Sequence, residues 1–201
     1  MHARESQPSI TAAMLVRDRA DLLEQAARSV LAQTDPDLEL VIVDDGSVDH
    51  TPRIARALAD SDPRVVLLRN ETSRGIPAAR NQALAAARGR YFATCDSDDL
   101  SRPTRFERQR RMLDDDDQLV GVGTRFTAFD GDDPDAGSEP DWHWGLRDGR
   151  LPFLFPTAML RTQAVRDAGG FDEAFALAED LELAYRLAAR GGQFAIVDEV
   201  L

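Results

Sequence analysis

Short apolar runs that end in aspartates recur in this chain, each followed by a polar turn and a segment of helical spacing. Leu38 to Val43 runs into Asp44-Asp45-Gly46-Ser47, and Tyr91 to Cys95 runs into Asp96-Ser97-Asp98-Asp99. Runs so compact and so rich in β-branched, aromatic and small residues fill buried strands. Ile10 to Val16 reads as a strand ahead of them and Val65 to Leu68 as one between them. Leu22, Leu23, Ala26, Ala27, Val30 and Leu31 give an amphipathic helix from about Ala20 to Gln33. Thr51-Pro52 starts a second helix in the preferred cap and first-turn positions. After a polar loop in which Gly75 is free to take a positive φ, Pro77 opens an alanine-rich third helix that ends at Gly89. Strands alternating with helices mean parallel βαβ units in an α/β sheet. Both aspartate-ended strands then present their carboxylates at one edge, the edge where open α/β sheets bind ligands.

The second half continues with less regularity. Pro103 opens a helix with Phe106, Met112 and Leu113 inward, and Asp114 to Asp117 closes it, opposing the helix dipole and reading as a frayed, solvated end. Leu119 to Phe126, Pro156 to Arg161 and Phe194 to Val197 are further strands. Thr162 caps a short helix that Gly169-Gly170 breaks, and Ala178-Glu179-Asp180 opens a last helix, with Leu181, Ala184, Leu187 and Ala188 on one stripe and Gly191-Gly192 at its end. Asp130 to Gly149 has no periodicity and reads as a surface loop. Its Asp130-Gly131-Asp132-Asp133-Pro134-Asp135 run does not match the spacing of an EF-hand calcium loop. Trp142-His143-Trp144 suits core packing better than a platform for a sugar ring. No repeat and no linker divides the chain, so 1–201 is expected to be a single domain.

At 201 residues, with a net charge of -12, the chain has no basic surplus to grip a phosphate backbone, which argues against a nucleic-acid partner. An acidic protein can still hold one nucleotide through a metal. Cys95 is the only cysteine, so no internal disulfide is expected and a reducing compartment fits. Residues 1–8 lack the apolar core of a signal peptide, and no stretch approaches the about 18 apolar residues of a membrane span. A soluble, cytoplasmic domain is the expectation, peripheral to a membrane only through a partner or a further segment.

Carboxylates crowded at the end of a strand repel one another, and a hard divalent cation with oxygen ligands relieves that repulsion. Mg²⁺ keeps only one or two protein carboxylates and fills its shell from phosphates and water. Asp96 to Asp99 therefore suit a metal that carries a phosphorylated ligand, and they equally suit a solvated turn and helix cap.

Taken together, several stretches resemble the family 2 glycosyltransferases, from about Ser9 to Gly191. They are Leu31-Ala32-Gln33-Thr34, Val41-Ile42-Val43-Asp44-Asp45-Gly46-Ser47, Gly75-Ile76-Pro77-Ala78-Ala79-Arg80-Asn81, the DxD-like Asp96-Ser97-Asp98-Asp99, and Gly169-Gly170-Phe171-Asp172-Glu173 followed by Glu179-Asp180-Leu181-Glu182-Leu183. The resemblance implies a GT-A fold: a mainly parallel twisted α/β sheet flanked by helices, with a Rossmann-like nucleotide-binding half over about 9–100 and an acceptor half over about 101–201. It implies inverting transfer of a sugar from a UDP-, GDP- or dTDP-linked donor to an acceptor hydroxyl, on a saccharide or glycolipid, with Mn²⁺ or Mg²⁺. By position in the motifs, Asp45 would bind the nucleobase, Arg80 would lie near the base or phosphates, and Asp98 and Asp96 would contact the nucleotide sugar. Asp99 would meet the metal, with Asp98 and Asp96 as neighbouring candidates, and Asp180 would be the general base. A helix amino terminus favours the anionic form of Asp180 and would weaken it as a base, whereas burial in a closed cleft would strengthen it. The residues alone, Glu179 and Asp180, read more readily as helix caps.

The chain departs from the resemblance at Met14-Leu15-Val16-Arg17-Asp18, where Asp18 stands in place of the usual Asn and the usual Pro and Tyr are missing. The nucleotide-facing first loop is expected to differ in base preference. The chain also stops soon after the helix of Asp180, where relatives continue into acceptor-shaping segments. The rivals are a non-catalytic or incomplete sugar-nucleotide-binding domain of a longer protein and a nucleotidyltransferase, although Arg17-Asp18-Arg19 lacks the glycine-rich phosphate loop of the latter. A phosphatase is disfavoured by Leu100, which stands where a threonine is needed.

Overall fold

The computed structural model describes residues 7–129, 137–139 and 151–201. The Asp130–Asp135 run and the Trp142-His143-Trp144 cluster lie outside them. In chain order the elements are β1 (Ile10–Val16), α1 (Leu23–Leu31), β2 (Leu38–Asp45), α2 (Thr51–Ser61), β3 (Val65–Asn70), α3 (Ile76–Ala86) and β4 (Tyr91–Asp96). Then come α4 (Arg105–Asp115), β5 (Leu119–Arg125), β6 (Met159–Arg161), α5 (Thr162–Asp167), α6 (Glu179–Ala189) and β7 (Gln193–Val200).

The strands form one seven-stranded sheet in the order β3-β2-β1-β4-β6-β5-β7, so both halves of the chain share it. β1 lies between β2 and β4, parallel to each, and Val16 pairs with Asp44 while Leu15 pairs with Asp96. That register brings the two acidic strand ends to the same edge. β6 alone runs against its neighbours β4 and β5. It is also shorter than the sequence suggests, because Phe155–Thr157, which overlap the start of the expected strand, form a 3-10 turn.

Alternating strand residues build two cores. On one face Met14, Ile42 and Tyr91 pack with α1, α2 and α4, whose buried residues include Leu23, Leu58 and Phe106. On the other face Val43, Phe92 and Leu160 pack with α3, α5 and α6 through Ala83, Val165 and Leu187. The result is three layers, the arrangement that lets a buried parallel sheet hide both faces.

Several local expectations need correcting, among them Thr162, which is the first helical residue of α5 rather than its cap. Thr51 is the first helical residue of α2 rather than its cap, and its N–H donates to Asp49 Oδ1 at 2.8 Å. α4 begins at Arg105, two residues after Pro103. Asp114 is not merely solvated: it accepts from the Tyr91 hydroxyl at 2.5 Å and pairs with Arg90 at 2.9 Å. On α6 the inward residue is Leu183 rather than Leu181, because the stripe that meets the core also takes in Ala184 and Leu187.

Candidate active site

Asp45 ends β2 beside Gly46, whose φ of +79° turns the chain sharply. A Cβ on Gly46 would stand 2.6 Å from the Ser73 nitrogen, so glycine is what lets the 72–75 loop close over the strand end. Asp45 then becomes the hub of that loop. It accepts from Asn70 Nδ2 at 2.7 Å, Ser73 Oγ at 2.6 Å, Arg74 N at 2.9 Å and Gly75 N at 3.0 Å. Burial pushes its pKa up, but hydrogen bonds from Ser73, Arg74, Asn70 and Gly75 outweigh burial and hold it below the usual range. Four donors fill the acceptor positions of a carboxylate. Asp45 therefore organises the loop that walls the cleft, a structural duty the sequence did not reveal, and it also lines that cleft.

The first loop is stitched to the same region. Asp18 has φ +52°, a left-handed conformation that Asp and Asn tolerate best after glycine, and its Oδ1 accepts from Val48 N at 2.8 Å. Its own N–H donates to Ser47 Oγ, and the next, on Arg19, to Thr51 Oγ1. An Asn could make the same turn and accept the same bond, which gives a physical reason for the exchange at this position.

The end of β4 is of opposite character. Asp96 is pushed up to about 6, first by burial and then by the charge of Asp99, with Asp98 adding and Arg80 and Arg105 opposing. Asp99 is raised as well, by burial and by Asp98. Arg19 meets Asp98 across the mouth at 3.4 Å. Among the described residues no group of three or more His, Cys, Asp and Glu is arranged to hold a metal ion. Mutually raised carboxylates still fit a cation, one held by one or two of them with the rest of its shell from a phosphorylated ligand.

Arg80 and Asn81 of α3 carry the site to the far half of the chain. Asn81 donates to the Phe171 carbonyl and accepts from the Phe171 N–H, both at 2.8 Å. Arg80 lies over the rings of Phe155, at 4.6 Å, and Phe171, at 5.5 Å. Its Nη1 is 2.9 Å from Glu179 Oε1, with the two side chains 11% and 6% exposed. Burial raises the pKa of Glu179, Arg80 pulls it back and Asp180 adds to the rise. The Glu179–Arg80 contact was invisible in the sequence, where Glu179 read as a helix cap. In the structure the cap residue is Ala178, and no side chain caps the helix. Asp180 Oδ1 accepts from Leu181 N at 2.7 Å.

A cleft of about 480 Å³ brings Asp45, Arg80, Asp96 and Asp98 together with Arg17 and Arg19. A second, of about 350 Å³, takes Asp96 and Asp99 on the other side of β4, with Arg105 in its wall. Asp180 lines neither cleft; Arg80 connects it to the mouth by touching its neighbour Glu179 while acting on Asp96.

A three-layer sheet of this order with acidic strand ends is the GT-A type of glycosyltransferase architecture, and solved structures agree. A mannosyltransferase from Pyrobaculum calidifontis, PcManGT, in complex with GDP-Man and Mn²⁺, superimposes with a TM-score of 0.76 at 22% identity, covering 98% of this chain and 56% of that one. Residues 1–349 of S. aureus TarS, in complex with UDP, give 0.80 at 20% identity, covering 95% and 58%. Residues 11–167 match the family model for glycosyl transferase family 2. The chain belongs to that family. Succinoglycan biosynthesis protein ExoO of Rhizobium meliloti is 32% identical to it over 96% of this chain and 60% of its own length. The chain thus spans somewhat more than half the length of these proteins. No helix among its described residues is long and apolar enough to cross a membrane.

Proposed function

We propose that the chain is the donor-binding and catalytic part of a metal-dependent inverting glycosyltransferase that moves a sugar from a nucleoside diphosphate to an acceptor hydroxyl. The observation that carries this reading is the position of Arg80 of α3, which acts on the Asp96 carboxylate at the β4 mouth and pairs with Glu179, the residue before Asp180 at the start of α6. Asp98 and Asp99 would hold a Mn²⁺ or Mg²⁺ ion, which supplies Lewis-acid stabilisation to a leaving diphosphate. The donor would lie in the cleft between the Asp45-organised loop and β4, where Arg17, Arg19 and Arg80 offer positive charge to phosphates. Asp180 would take the proton of the acceptor hydroxyl. PcManGT with GDP-Man and TarS with UDP favour a purine or pyrimidine diphosphate donor without choosing between them. The name of the ExoO relative favours polysaccharide assembly.

Release of nucleoside diphosphate from UDP-GlcNAc and GDP-mannose with Mn²⁺ tests this reading, with the anomeric configuration of the product read by NMR. Asp180→Asn is expected to lower turnover by about 10³-fold while leaving nucleotide affinity in place. Full turnover in that variant, or a product that retains the donor's configuration, contradicts it. A second reading, a sugar-nucleotide-binding part whose catalysis needs further chain, is favoured by the share of the relatives' length that this chain spans. It predicts metal-dependent nucleotide binding without turnover.

A further inference from the structure

The first turn of α6 carries three carboxylates, Glu179, Asp180 and Glu182. Two are tied down. Glu182 pairs with Arg186 at 2.5 Å, and Arg186 also donates to the Gly170 carbonyl at 2.7 Å, anchoring the helix to the double-glycine turn. Glu179 faces Arg80 in an ion pair, Nη1 to Oε1 at 2.9 Å without hydrogen-bond alignment, and the Arg80 guanidinium lies over the rings of Phe155 and Phe171. Among the described residues only Asp180 of the three has no cation within ion-pair distance.

We propose that Glu179, clamped by Arg80, is a positioning residue that sets the height and rotation of the first turn of α6, and so aims Asp180 at the reacting centre. The proposal rests on Asp180 being the base. Its logic is geometric. Arg80 belongs to α3, in the donor half, and Asn81 beside it grips the Phe171 backbone from both sides. One helix thereby fixes both the approach to α6 and its first residue. A buried ion pair of this kind contributes little net stability, because desolvation offsets attraction, whereas it does specify one arrangement. No side chain caps α6, so beside the core packing of Leu183 and Leu187 its first turn is oriented by the Arg80–Glu179 pair and the Arg186 anchor. The same division of labour leaves Asp180 without a cation partner among the described residues.

Glu179→Gln keeps the volume and removes the charge. With UDP-GlcNAc or GDP-mannose and Mn²⁺, kcat for donor cleavage is expected to fall roughly 10²-fold, the cost of a misplacement of about 1 Å, with KM within about twofold. Arg80→Met combined with Glu179→Leu replaces the pair by apolar groups; it is expected to keep the melting temperature and lose kcat. Broadening of the Asp180 ¹³C-carboxyl signal by bound Mn²⁺ and nucleotide reads the positioning without turnover, and it should weaken in Glu179→Gln. Unchanged kcat in Glu179→Gln beside an inactive Asp180→Asn overturns the positioning role and leaves the base standing, as does unchanged broadening. A parallel loss of kcat, KM and melting temperature overturns it in favour of a merely structural pair. Full turnover in Asp180→Asn removes the base and the proposal with it.

Discussion

Asp45 and Asp99 stand at the carboxyl ends of β2 and β4, two strands parallel to the β1 between them, and they live in opposite environments. Asp45 is surrounded by donors, four of them from residues 70–75, and its pKa is held down. Asp96 is half-buried and Asp99 exposed beside it, each lies near other carboxylates, and both are pushed up. The same local pattern, a strand running into aspartates, thus yields one carboxylate that organises a loop and a group whose members repel one another and suit a cation. The difference lies in the groups that close over each strand end. Beyond β2, Gly46 lets a loop approach closely enough to donate its N–H groups. At the β4 mouth the charges that oppose Asp96 are Arg80 and Arg105, of which Arg105 is occupied with the Thr94 and Pro156 carbonyls, while Arg19 meets Asp98.

The contrast breaks first under substitution. Asp45→Ala should cost about 4 kcal/mol of stability, since it strands several donors to a charged acceptor, whereas Asp99→Ala should stay within about 0.5 kcal/mol. Urea denaturation of the two variants measures both; equal costs would erase the distinction.

The pH dependence comes next. Asp96 binds its proton more tightly in the folded chain, at about 6 against an ordinary 3.8. Its contribution to the metal-free protein is therefore fully present below 3.8 and lost as pH rises through about 6, about 3 kcal/mol for a rise of this size. Asp45 has the opposite sign: its contribution is present above the ordinary value and lost as acid protonates it. Denaturation from pH 4 to 7 should show Asp96→Asn removing a decline that the parent has over that range, and Mn²⁺ should offset the same decline. A parent curve identical to that of Asp96→Asn sinks the assignment.

Asp114 offers a smaller test, away from both sites. The Tyr91 hydroxyl is pushed up to about 12, first by burial and then by its bond to Asp114. Asp114→Asn should cost about 1 kcal/mol and bring the phenol down, as followed by ultraviolet titration. Smallest of all, Asp18→Asn should change stability by less than about 0.5 kcal/mol, because Asn keeps both the left-handed turn and the acceptor for Val48. A larger loss would mean that the charge itself matters in the first loop.

How far the sequence could be read depends on the range of each signal. β1 was legible to the residue, and β2 and β4 nearly so, since a buried parallel strand writes itself as one unbroken apolar run. β6, three residues long and antiparallel, carried no such signal, and its neighbouring 3-10 turn was absorbed into it. At the site, Arg80, Asp96, Asp98, Asp99 and Asp180 were legible as motif positions. Their partners were not: Glu179 meets Arg80 across ninety-nine positions of sequence, and neither periodicity nor propensity records an ion pair at that separation. The four donors to Asp45 sit 25 to 30 positions away, three of them in a loop that reads only as polar.

The most direct measurement is calorimetric titration with UDP, GDP and dTDP, each with and without Mn²⁺, on the parent chain and on Asp99→Ala. The account predicts that a nucleotide binds the parent only when Mn²⁺ is present and that Asp99→Ala, though folded, loses this binding. Nucleotide binding that is indifferent to Mn²⁺ and to Asp99, or no binding under any condition, would contradict the assignment of the β4 mouth as the metal-dependent donor site.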